Sequence, residues 1–466
     1  MPRLPRSRRG RRRGGPGAAL VVLLGVAAGL RAVGIEYGLP FGTLLNPDEQ
    51  SIVPRAWRMV HGGGPDPDWF DYPTLVLYVF APFQAWQDAP SYLTARMVIA
   101  VFGVAAVAGA WWLGRRAYGQ AAGVVAAAVV AVETTSVAYS RMAVTDVPLT
   151  AGVAASLALM ISGRLEWAGL AAGLAASAKY PGVFLLAPLA VAAWGRWLRL
   201  AASVLLGAAA FLAASPYVAV HPSRAWDDVM RVQRLARDGW LGFEHDGFAL
   251  FAFVERLWDG LGPVLAVAAA GLALALWQRR RADLVLASFV LVYFASLLPA
   301  RAHFDRYLLP LVPALGALAG RGRTLVPVTL LLLVVPLTWS IQDAVRLTRT
   351  DTRVVAERWI REHVPEEATI AAESSTPALL GYPVVPLALP GPGRPPDPRR
   401  NVARLRADGV RFVLVTGAVA DRVLAAPERY RRETRFYADL RRSAERLYYL
   451  APGGGLTGPW VAVYGL

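Results

Sequence analysis

Long apolar runs recur up to about residue 340, each closed by arginines or by a Pro/Gly break. The first, GAALVVLLGVAAGLRAVGI (17–35), follows the basic stretch RLPRSRRGRRR. At about 1.5 Å of rise per residue it is long enough to span a bilayer, and no small-residue cleavage site follows it. It reads as a retained signal-anchor helix with a cytoplasmic N-terminus.

Arginine clusters set the topology. WWLGRRAYG (111–119), SGRLEW (162–167), WGRWLRL (194–200), WQRRR (277–281) and GRGR (320–323) are assigned to the cytoplasmic side. One crossing then separates the first outer loop from Arg115 and Arg116, so YPTLVLYVFAPFQAW (72–86) is interfacial or re-entrant and 92–114 is the second span. The run GLAAGLAASAKYPGVFLLAPLAVAAW (169–194) has cytoplasmic arginines on both sides and must go out and return. Pro181 lacks a backbone donor and disfavours helix at Tyr180, so the turn falls at Lys179-Tyr180-Pro181.

The pattern predicts about eleven spans: 17–35, 92–114, 119–138, 146–162, 166–178, 181–194, 198–218, 261–278, 283–299, 304–320 and 324–342. An odd number places the remainder outside. There the character changes: TRVVAERWIREHV (352–364) has helical spacing, ATIAAE and RFVLVT read as short strands, and LPGPGRPPDPRR as a loop. The chain is thus expected to be a polytopic α-helical membrane protein, 1–349, with a first outer loop at 36–91 and a small extracytoplasmic α/β domain at 350–466. APGGGLTG (451–458) lacks the strand-to-helix setting of a phosphate-binding glycine loop and reads as a turn.

Composition agrees with this. Over 466 residues the hydrophobic content is 55%, with 15 Trp, and the mean hydropathy is +0.40, too apolar for an ordinary soluble protein. The net charge of +16 reflects arginines at the ends of apolar runs rather than a nucleic-acid footprint. The absence of cysteine excludes disulfides and thiolate metal sites.

The ionisable residues that this topology leaves over gather on the outer side. NPDEQSIVPRAW (46–57) supplies adjacent Asp48 and Glu49; Arg141 and Asp146 lie in SRMAVTDVPL, Lys179 at the hairpin tip, and His303, Asp305 and Arg306 in PARAHFDRYLLP (299–310). Carboxylates and cations at one outward cavity suit an anionic substrate and a step that needs a base. Lys179 and Arg306 would neutralise a lipid-borne phosphate while a carboxylate deprotonates an attacking hydroxyl. A sugar on a lipid phosphate already carries a good leaving group, so one base suffices, and in-line attack inverts the sugar carbon. The acids of GGGPDPDW (62–69) read as turn residues.

The series NPDEQSIVPRAWRMVHGG, WFDYPTLVLYVFAPF, AYSRMAVTDVPLTAGVA, GLAAGLAASAKYPGVFLLAP and FDRYLLPLVPALGALAG, in that order, resembles the C-type (GT-C) membrane glycosyltransferases. The likeness is to glycosyltransferase family 39, of the protein O-mannosyltransferase and lipid A aminoarabinose transferase kind. The resemblance implies Asp48 as catalytic base and Glu49 as shaping the site or holding the acceptor. It places Asp146 near the acceptor or in support of the loop, the Lys179-Tyr180 pair at the phosphate or the outer loop, and Arg306 with its neighbour Tyr307 on the carrier phosphate. Tyr72 stands where the aminoarabinose transferases have a lysine, which separates this chain from that particular enzyme.

It further implies a polyprenyl-phosphate sugar donor, a glycan, lipid or protein hydroxyl acceptor, and a multi-pass location in a bacterial-type plasma membrane. No cofactor is required. A divalent metal stays open, since His61, His221, His245 and His303 form no ligand motif. The alternatives are a transporter or flippase of lipid-linked sugars, for which no repeated halves are visible, and a GT-C-like oligosaccharide transferase with a diphosphate-linked donor.

Overall fold

The computed structural model describes residues 16–41 and 44–466. The basic stretch before residue 14, on which the first orientation rests, lies outside the described residues. A helix stands in each of the eleven apolar intervals, beginning with Pro16–Ala32, Tyr92–Tyr118 and Gln120–Val132. Among the described residues three helices are long and apolar enough to cross a membrane on their own: Tyr92–Tyr118, Trp197–Ala214 and Val326–Arg346. The others are shorter or broken; the expected span 261–278 is helix Val264–Gln278, bent by 117° against a preceding helix Ala249–Leu261 that lies outside the expected spans.

The expected turn at Lys179 is a break in the helix. Helix Leu165–Ala178 ends there, Lys179 itself is extended, and a 3-10 turn over Tyr180–Leu185 leads into Leu186–Ala192. Small residues fix where that end lies. A Cβ added to Gly169 or Gly173 would come within 2.0 Å of the carbonyl oxygen of Ser203 or Gly207 on helix Trp197–Ala214. The two backbones are therefore in direct contact, as small-xxx-small spacing permits in membranes. Just beyond the contact the Ser177 and Ser215 hydroxyls meet at 2.6 Å, and the Thr74 N–H donates to the Ser215 hydroxyl at 3.0 Å. The Tyr72-Pro73-Thr74 segment is thereby held against the same helix ends as Lys179.

The segment 72–86 forms a short helix, Leu75–Gln84, that buries Val76, Leu77 and Phe80. Helix Pro222–Asp238 is an element the apolar-run reading did not supply.

In the C-terminal part, Asp351 caps helix Thr352–His363 by accepting the Arg353 N–H at 2.7 Å. Strands Val384–Leu387, Ile370–Glu373, Phe412–Thr416, Val461–Gly465 and Glu445–Leu450 lie side by side in that order, the first three parallel and Val461–Gly465 antiparallel to the strand on either side of it. Apolar clusters cover both faces of this sheet, one around Val413, Val415 and Phe436 and one around Ile360, Ile370 and Leu414. Two contacts tie the part to the first outer loop: Tyr37 Oη donates to Asp351 at 2.5 Å, and Arg353 donates to the Leu44 carbonyl at 2.8 Å.

Candidate active site

Asp48 and Glu49 open helix Asp48–Arg58. Neighbouring positions on a helix point about 100° apart, so the two carboxylates face different surroundings. Glu49 turns inward and is fully buried. Its oxygens accept from Arg96 Nε at 2.8 Å, Arg96 Nη2 at 2.7 Å and the Ala143 N–H at 2.7 Å. Saturated by these donors and closed off, Glu49 braces the helix that presents Asp48. Arg96→Ala leaves that carboxylate buried and unpaired, at a cost of about 3–5 kcal/mol. The expected outcome is a lower thermal midpoint in detergent and poor recovery of folded protein.

Asp48 keeps a fifth of its side chain exposed. Its Oδ2 accepts from Tyr72 Oη at 2.9 Å and from Arg306 Nη1. Burial opposes its ionisation, but Arg306, Lys179 and the Tyr72 hydroxyl outweigh that and hold the carboxyl below its usual range. Its place in the first helical turn adds the favourable end of the helix dipole.

The second ion pair joins Lys179 Nζ to Asp146 Oδ1 at 2.6 Å. Asp146 starts helix Asp146–Ile161, and Lys179 comes from the break described above. The ammonium lies between the Tyr72 and Tyr307 rings, 5.5 and 5.4 Å from their centres. Arg306 stands 5.2 Å from the Phe304 ring centre and 6.0 Å from that of Tyr307. Tyr180 donates to the Phe70 carbonyl at 3.0 Å and so fastens the loop after residue 66. Asp48, Tyr72, Asp146, Lys179, Arg306 and Tyr307 are thus one linked group, with Tyr180 at its margin. Within it, Asp146 Oδ2 and Arg306 Nε are buried without a hydrogen-bond partner, an arrangement that a polar ligand would satisfy.

Tyr72, Asp146, Lys179, Tyr180 and Tyr307 line a cavity of about 360 Å³, and Asp48 and Arg306 adjoin its wall through Tyr72 and Tyr307. The rest of its wall is largely apolar, including Val183, Phe184 and Leu297, with Val229, Val232 and Ala236 from helix Pro222–Asp238. That helix was legible after all: Ala225, Val229, Val232 and Ala236 follow helical spacing behind Pro222. Its polar side explains the first-loop acids. His221 pairs with Asp66 at 2.8 Å, Arg224 with Asp68 and Arg231 with Asp71, while Asp228 accepts the Phe70 N–H at 2.9 Å. Arg141 faces away from the cavity and pairs with Asp343 at 2.8 Å. Among the described residues no three carboxylate or histidine side chains converge as metal ligands would.

With this geometry the fold can be placed. ArnT from Cupriavidus metallidurans, crystallised in the apo state, superposes with a TM-score of 0.62 at 16% identity, covering 96% of this chain and 98% of that one. The same protein bound to undecaprenyl phosphate gives 0.56 at 15%, covering 97% of each chain. The apo oligosaccharyltransferase of Archaeoglobus fulgidus gives 0.59 at 12%, covering 96% of this chain and 74% of that one. The chain is therefore a helical membrane protein with the fold of the GT-C membrane glycosyltransferases. The family whose model matches is glycosyltransferase family 87, over residues 69–299, rather than the family 39 that the motif series resembles. No curated protein shows significant sequence similarity to the chain.

Proposed function

We propose that the chain is an inverting glycosyltransferase that moves one sugar from a polyprenyl-phosphate donor to an acceptor hydroxyl at the outer face of a bacterial-type plasma membrane. The observation that carries this reading is the Lys179–Asp146 pair on the wall of a largely apolar cavity, with the Asp48–Arg306 pair joined to it through Tyr72 and Tyr307. An apolar wall that carries an ammonium, with a guanidinium next to its tyrosine lining, suits a lipid phosphate, and a carboxylate beside them suits a base. The match to glycosyltransferase family 87 and the undecaprenyl phosphate bound by the similar ArnT structure support it.

In this account the polyprenyl chain lies along Val183, Phe184 and Leu297, and the phosphate draws Arg306 and Lys179 to itself. Asp48, relieved of Arg306, accepts the proton of the acceptor hydroxyl. That oxygen bonds to the anomeric carbon on the face opposite the phosphate, and the carbon–oxygen bond to the phosphate breaks. The electron pair leaves with the polyprenyl phosphate, held by the two cations. Tyr72 keeps Asp48 oriented through its hydroxyl.

Titration of the detergent-purified protein with undecaprenyl phosphate, undecaprenol and undecaprenyl diphosphate, followed by native mass spectrometry, tests this. The monophosphate is expected to bind at least tenfold tighter than the alcohol. Equal binding of the alcohol would remove the phosphate role of the cations, and a preference for the diphosphate would move the chain to oligosaccharide transfer.

A further inference from the structure

Asp146 differs from the other buried acids in what its carboxylate lacks. Glu49 is saturated as described above, and Glu133 accepts the N–H groups of Thr135 and Ser136 at 3.1 and 2.6 Å, one on each oxygen. Asp283 is held by Tyr118, Arg321 and the Arg280 N–H, and Asp351 by Tyr37 and Arg353. Glu373 is held by Arg400, Tyr437 and the Thr416 N–H. In each of these, both oxygens have a donor. Asp146 is only 2% exposed, yet among the described residues its Oδ2 is the one buried carboxylate oxygen with no hydrogen-bond partner. An unpaired buried oxygen is costly to keep, so it calls for a donor that arrives from elsewhere.

No task within the fold accounts for that oxygen. Asp146 stands in the first turn of helix Asp146–Ile161, where a carboxylate commonly accepts a free backbone N–H. Here its one side-chain hydrogen bond is to Lys179 Nζ, at 2.6 Å on Oδ1. Thr145, just before it, makes no capping bond either, and its hydroxyl is also buried without a partner. The start of this helix is therefore left unsatisfied at the point where Asp146 lines the apolar cavity beside Tyr72, Lys179 and Tyr307.

The chemistry of the donor says what would complete it. An ammonium has three N–H donors, so Lys179 can keep Asp146 Oδ1 on one and offer the others to a phosphate. A carboxylate on the same ammonium as that phosphate then lies next to the first sugar ring. The phosphate is bonded through oxygen to the anomeric carbon, whose two ring neighbours are the ring oxygen and C2. The ring oxygen only accepts hydrogen bonds, and so does a carboxylate. The substituent on C2 is the nearest sugar group able to donate.

We infer that Asp146 is a specificity-determining residue for the donor, and that its free oxygen accepts from the hydroxyl on C2 of the transferred sugar. The inference rests on the transferase reading and names a class of donor within it: sugars with an unmodified 2-hydroxyl, with 2-deoxy sugars rejected. It places Asp146 on the donor rather than on the acceptor. A site built to pair a hydroxyl discriminates strongly against the analogue without it, because its own polar atom is then left unpaired.

The test uses two pairs of C2 epimers as probes, titrated into the full chain in detergent and read by native mass spectrometry. These are the undecaprenyl phosphate esters of glucose and mannose and those of arabinose and ribose, each pair with the 2-deoxy sugar that its two members share. Undecaprenyl phosphate itself is titrated into the same samples. At least one epimer is expected to bind the wild type about tenfold tighter, or more, than its 2-deoxy form, as a hydrogen bond to a charged group supplies. In Asp146→Asn the oxygen can stay with Lys179 while an amide donor replaces the free acceptor, and the preference is expected to shrink to about threefold or less. The same variant should bind undecaprenyl phosphate no more weakly than the wild type, because it removes a negative charge beside the phosphate. That opposite response also reports that the variant is folded, and loss of a merely structural carboxylate would weaken both ligands together.

The wild-type comparison needs no variant, so it decides even if Asp146→Asn fails to fold: equal binding of every epimer and its 2-deoxy form would overturn the inference, as expected of a site that water fills equally well. A full preference retained in a folded Asp146→Asn would overturn the assignment to Asp146. In both of those results undecaprenyl phosphate still binds and the donor reading stands. Failure of undecaprenyl phosphate to bind the wild type would contradict the donor reading and overturn the inference with it.

Discussion

Asp48→Asn is expected to reduce transfer by about 10²–10⁴-fold, the range that a positioned general base supplies, with the protein folded and the donor still bound. Asparagine has nearly the shape of aspartate and keeps an oxygen for Tyr72 Oη, which now donates at 2.9 Å. What it lacks is the capacity to take a proton at neutral pH. The amide also ceases to compete for Arg306, so undecaprenyl phosphate should bind at least as tightly as to wild type. A loss confined to kcat, with donor affinity maintained, separates a base from a phosphate ligand. Near-normal turnover would remove Asp48 from the chemistry.

Arg306→Ala is expected to fail in the opposite way. A charge-assisted hydrogen bond contributes about 1.5–3 kcal/mol, so undecaprenyl phosphate affinity should fall by about tenfold or more. The remaining cation, Lys179, is still committed to Asp146 at 2.6 Å and cannot replace the missing fork. Arg306→Lys should recover part of the affinity, because a point charge returns without bidentate geometry. Titration of the two variants against wild type checks this, and unchanged affinity in the alanine variant would contradict the phosphate role.

The two variants probe the two ends of one contact. Arg306 pairs with Asp48, so on the proposed reading the carboxylate becomes available as base when a phosphate takes the guanidinium. That coupling favours donor binding before acceptor attack.

Much of this site was legible because its parts sit at chain interruptions. Pro181 marked the break that presents Lys179, and the short RYLLP segment placed Arg306 and Tyr307 at the start of an apolar run. The eleven helical intervals were legible for a similar reason, since apolar runs bounded by arginines leave few other arrangements. What the sequence hid were pairings between distant residues. Asp48 and Glu49 adjoin in the sequence, and it is Arg96, 47 positions away on the next long helix, together with the Ala143 N–H that separates their surroundings. The Lys179–Asp146 pair is hidden likewise, as is the strapping of Asp66, Asp68 and Asp71 to helix Pro222–Asp238. That helix was overlooked because its polar side lowers its mean hydropathy below that of its neighbours, although its apolar stripe keeps the helical period.

The most direct measurement is native mass spectrometry of wild type and Asp48→Asn, each purified gently from its own membranes. If Asp48 is the base of a transfer from a polyprenyl monophosphate, the wild type should carry the spent polyprenyl phosphate and the variant should accumulate the same lipid bearing one sugar. A variant that carries only the sugar-free lipid, or a diphosphate-linked oligosaccharide on either protein, would contradict the account.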